Sequence, residues 1–60
     1  MLPSRHFFQL GDTVQHRDGA LGTVEESMAL YATIYWEDGR IEEVEQLDPL
    51  ITVIALGAAA

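Results

Sequence analysis

The segment Leu30-Tyr31-Ala32-Thr33-Ile34-Tyr35-Trp36, followed at once by Glu37-Asp38-Gly39, constrains the fold of this chain more than any other feature. It is rich in β-branched and aromatic residues and holds no Gly or Pro, so it reads as a strand. Alternation puts Ala32, Ile34 and Trp36 on one face and Tyr31, Thr33 and Tyr35 on the other. The first set is the expected core. Asp38-Gly39 predicts a two-residue type I′ turn, in which both central residues take positive φ. Residues 40–45 then return as the partner strand.

The rest of the chain is punctuated in the same way. Gly11-Asp12 reads as a turn, residues 13–17 as a short strand with Val14 inward, and Asp18-Gly19 as a second tight turn. Residues 20–26 form the next strand. Leu21 and Val24 cannot both face inward on a period of two, so Gly22 is expected to mark a bulge. A single helical turn is expected at residues 46–48. After Pro49, residues 50–54 form a last strand whose unbroken apolar run suits burial on both faces, within a barrel or against a second chain. Residues 1–9 read as an arm whose Phe7 and Phe8 pack on the domain, and residues 55–60 as a frayed, disordered Ala-rich tail. Residues 10–54 are the single expected domain.

Sixty residues make a marginal core, because so short a chain buries only about 60% of the surface its unfolded form exposes. Small domains of this kind add disulfides, a metal or a partner chain. This sequence has no Cys, so disulfides, thiolate metal sites and Cys catalysis are excluded. Self-association through the last strand follows as a possibility. Ten Asp and Glu stand against three Arg, for a formal charge of −7. That balance disfavours nucleic acid, whose binding rests on Lys and Arg displacing counterions, and favours basic partners. No signal peptide is expected from the N-terminal residues, and the apolar run at 50–56 falls far short of the ~20 residues that cross a bilayer. A cytoplasmic protein is the expectation.

Three strings carry a resemblance: Gly11-Asp12-Thr13-Val14, Gly19-Ala20-Leu21-Gly22-Thr23-Val24, and Ile34-Tyr35-Trp36-Glu37-Asp38-Gly39 with Glu43-Val44 and Leu47 after it. Over residues 10–54 the chain resembles the SH3-like barrels of the KOW and Tudor-like groups. The resemblance implies an all-β fold, a small five-stranded SH3-like barrel with a short 3-10 turn before the last strand. It says little about function, because such barrels serve unrelated tasks. KOW modules that touch RNA are usually basic, unlike this chain.

No Ser, His and Asp arrangement suggests catalysis, and adjacent Glu42 and Glu43 point to opposite faces of a strand. An enzyme is therefore not expected. His6 and His16 have no spacing that builds a metal site, and no cofactor is implied. The residues that attract a functional reading are Tyr31, Tyr35, Glu37, Asp38, Glu42 and Glu43. Together they predict a tyrosine and carboxylate surface that takes a basic protein segment, or the DNA-reading face of a regulator, by stacking and charge-assisted hydrogen bonds.

Overall fold

A computed structural model describes residues 7–57. Five strands follow in order: β1 (Thr13–His16), β2 (Leu21–Ser27), β3 (Tyr31–Trp36), β4 (Ile41–Glu45) and β5 (Ile51–Ala55). They form one antiparallel sheet in the order β4-β3-β2-β1-β5. The first four strands run as a meander, and β5 returns beside β1. The ladder stops there, so β4 and β5 are the two edges of an unclosed sheet.

The expected core face of β3 is the observed one. Ala32, Ile34 and Trp36 are buried and join Phe8, Val14, Val24, Val44 and Ile51 in one cluster. On β2 the inward residues are Gly22 and Val24, so the period of two is kept and no bulge falls at Gly22. Gly22 lies opposite Trp36 instead. The bulge of β2 is at Glu25, the extra residue between the pairs Val24–Ile34 and Glu26–Thr33. Glycine at 22 makes room for the indole: a Cβ there would come within 2.7 Å of both Ile34 Cγ2 and Trp36 Cε3.

The Asp-Gly hairpins are also not type I′. Gly39 has φ 96°, but Asp38 does not share the positive φ that type I′ requires. Gly39 N donates to Trp36 O at 2.9 Å and Trp36 N to Arg40 O at 2.8 Å. These bonds define a three-residue loop, a type I turn ending in a left-handed glycine bulge. The hairpin at 17–19 repeats it, with Gly19 at φ 101°, Gly19 N on His16 O and His16 N on Ala20 O. In each loop the Asp side chain accepts the second amide beyond it, Ala20 N or Arg40 N, at 2.9 Å.

Three further expectations change. The 3-10 turn at 46–48 is replaced by two consecutive tight turns, closed by Asp48 N on Glu45 O and Ile51 N on Asp48 O. Leu47, in the first of them, takes φ 61°. The last strand is not covered on both faces: Ile51 is buried, whereas Leu50 and Ile54 are 42% and 47% exposed. Finally, β5 runs through Ala55, and Gly57 beyond it is tied down. Its N–H donates to Asp12 Oδ1 at 2.6 Å. Asp12 is 1% exposed, and its other oxygen accepts Gln9 N at 2.9 Å. A buried carboxylate needs such partners to offset its desolvation.

The aromatic arm divides. Phe8 enters the core, while Phe7 stays about half exposed. Gln46 and Ser27 hold the arm in place. Gln46 Oε1 accepts Phe8 N at 2.9 Å, Ser27 Oγ donates to Phe8 O at 2.5 Å, and Gln46 Nε2 donates to Ser27 Oγ and Met28 O at 2.8 Å.

Candidate functional site

The register of β2, β3 and β4 decides which acidic residues share a face with the tyrosines. Residues directly opposite on antiparallel strands point the same way. On the outer face three rows cross the sheet: Glu45 beside Tyr31, Glu43 and Glu26 on either side of Thr33, and Ile41 and Thr23 on either side of Tyr35. Tyr31 and Tyr35 are 43% and 45% exposed, and the three carboxylates are exposed with them. Rows two residues apart on a strand repeat at about 6.6 Å. A pair of carboxylates thus lies between two tyrosine rows.

The six residues singled out in the sequence separate into three groups. Tyr31, Tyr35 and Glu43 stand on the outer face. Glu42, opposite the buried Ile34, stands on the inner face at the sheet edge, where its Oε1 accepts Trp36 Nε1–H at 2.9 Å. It completes the hydrogen bonding of an indole that is 1% exposed, as a buried Trp requires. Val44, inward and two residues on, already carries the parity that puts Glu42 inside. Glu37 and Asp38 lie in the hairpin loop. Glu37 N donates to Leu21 O at 2.9 Å, and Asp38 caps the loop.

Asp38 also meets Arg40 Nε at 2.7 Å across an exposed contact. The Arg40 backbone N–H, followed by its guanidinium, holds the Asp38 carboxyl below its ordinary pKa. In the twin loop Asp18 is lowered chiefly by Ala20 N–H, with a smaller contribution from His16. His16 Nδ1 lies 3.1 Å from Asp18 N and 3.2 Å from Asp18 Oδ1. One nitrogen cannot accept and donate at once. The amide contact belongs to a ring with no hydrogen on Nδ1, and the carboxylate contact to one that carries a hydrogen there. The same ring meets Trp36 edge-on at 5.9 Å between centroids, so His16 shields the indole rather than facing solvent alone.

Beyond Tyr31 the outer face runs into a shallow depression of about 400 Å3, lined by Phe7, Ala29, Leu30, Tyr31, Glu45 and Gln46. Leu30 is 71% exposed at its rim. Sequence reasoning missed Glu26 and Leu30. Glu26 faces outward because of the bulge at Glu25, which carries no glycine to announce it.

His6 lies outside the described residues. Among the described residues, no group of three or more His, Asp or Glu side chains is placed to hold a metal ion, and no helix is long and apolar enough to cross a membrane. No protein-family model, curated protein or solved structure matches the chain.

Proposed function

We propose that this chain is a non-catalytic protein-interaction module that takes a basic peptide segment on the outer face of β2, β3 and β4. The observation that carries the reading is the row order: Tyr31 and Tyr35 flank Thr33, and Thr33 has a carboxylate on each side. An extended peptide repeats its side chains on one face at about the same 6.6 Å interval as these rows. Arg or Lys at alternate positions then meets tyrosine rings and carboxylates in turn, through cation–π and charge-assisted contacts. The two described arginines, Arg17 and Arg40, belong to the hairpin loops, so neither neutralises this face.

An SH3-like barrel of the Tudor-like or KOW-like group is the architecture we favour for this module. The four-strand meander with β5 returning to β1, the bulged β2 and the tight turns before β5 support it. The −7 charge speaks against the nucleic-acid role of KOW-like domains, and the cysteine-free composition suits a reducing cytoplasm. The test is calorimetric titration with a short peptide of alternating Arg and Ala, against the same peptide with Glu for Arg. Binding of the first alone, weakened by salt and by Tyr35→Ala, supports the reading. Equal binding of both peptides, or of neither, overturns it.

A further inference from the structure

The two edges of the sheet differ in chemistry. Strand β4 carries Glu42, Glu43 and Glu45, which deter pairing with another strand. Strand β5 has nothing of the kind: residues 49–57, Pro-Leu-Ile-Thr-Val-Ile-Ala-Leu-Gly, hold no charge at all. Ile51 is buried in the core and Val53 packs against it, but the other apolar side chains at this edge are not consumed by the fold. Ile54 is 47% and Leu56 57% exposed, and Leu10, on the turn that Gly57 and Asp12 tie to the end of β5, is 68% exposed. A contiguous uncharged edge flanked by exposed aliphatic side chains marks an association site.

We propose that β5 is a self-association edge, and that its occupant is β5 of a second copy, paired antiparallel about a two-fold axis. The charge pattern argues for this partner. A basic protein is drawn to the carboxylates on the outer face and gains no electrostatic energy at β5. Two copies joined at β4 would oppose three carboxylates each. Joined at β5, the copies meet along strands that carry no charge, and the carboxylates of β4 stand on the opposite edge of each sheet. Salt screens exposed charges over about 8–10 Å in ordinary buffer, which weakens the repulsion between the two copies. Ile54 is the extra residue where β5 slips against β1, between Val53 opposite Val14 and Ala55 opposite Thr13. The bulge confines a regular ladder to Ile51–Val53 and leaves the rest of the contact to Ile54, Leu56 and Leu10. The two-fold arrangement yields one ten-stranded sheet, closed as a dimer because the same edge is used on both sides.

Sedimentation equilibrium of the full chain from micromolar to millimolar concentration tests this. The expected result is a monomer–dimer equilibrium, with dissociation at least about tenfold easier in Ile54→Glu and in Thr52→Glu, and unchanged in Ile41→Glu on β4. Both β5 substitutions fall on exposed side chains, and circular dichroism checks that each variant is folded. A monomer throughout, a species larger than a dimer, or a dimer lost only in Ile41→Glu overturns the proposal. The peptide-binding face enters only through the control at Ile41, beside Tyr35; the effects of Ile54→Glu and Thr52→Glu do not depend on it.

Discussion

Gly22 and Trp36 face each other across β2 and β3, and only a hydrogen atom at position 22 leaves the indole its place. The backbone of Gly22 is not in the left-handed region, so its side chain is limited by space and not by φ. Gly22→Ala is therefore an overpacking substitution in the centre of the core. It is expected to cost about 1–3 kcal/mol in urea unfolding, with a changed indole fluorescence in the native state. A variant as stable as the parent would mean that Trp36 is not fixed where it is described.

Gly39→Ala probes the opposite cause. Nothing lies within 4 Å of a Cβ at Gly39, yet its φ is 96°. The cost is then purely one of backbone conformation, about 1–2 kcal/mol, with native fluorescence unchanged because Trp36 keeps its surroundings. The pair of variants separates a glycine needed for room from one needed for φ.

Glu42 and Glu43 are neighbours with different work. Glu42→Ala removes the acceptor of Trp36 Nε1–H and should lower stability by about 1 kcal/mol, with little effect on peptide binding. Glu43→Ala should leave the unfolding midpoint where it is and weaken binding of an Arg-rich peptide. If the two variants behave alike in both assays, the division of the pair between the two faces is wrong.

Asp38 has a depressed pKa in the folded state, so the stability it contributes is complete above its unfolded pKa and is lost as pH falls through the folded value. The loss begins below about pH 4. The largest cause is the backbone N–H of Arg40, with the guanidinium behind it. Carboxyl carbon shifts followed by NMR should show Asp38 titrating below an ordinary Asp, and still doing so in Arg40→Ala. A return to the ordinary value in that variant would assign the effect to the guanidinium.

Much of this architecture is legible in the residues themselves. The two faces of β3 follow from alternation alone, since Ala32, Ile34 and Trp36 are apolar and their neighbours half polar. The turn type was not legible, because Asp-Gly suits both a two-residue and a three-residue loop. The choice is made by the pairing of Trp36 with Arg40, which no local string encodes. The role of Gly22 appears only once Trp36 stands across from it. For the site, the tyrosines could be assigned to the outer face, but their acidic neighbours could not. Glu26 enters through a bulge at Glu25, and Glu42 leaves through its shared parity with Val44.

The outer face is tested most directly by amide chemical-shift mapping during titration with an alternating Arg-Ala peptide. Binding as proposed shifts Thr23, Glu26, Tyr31, Thr33, Tyr35 and Glu43, leaves β1 and β5 largely unmoved, and fades as salt is raised. Shifts confined to β5 and the Leu10 turn, or none at millimolar peptide, would contradict it.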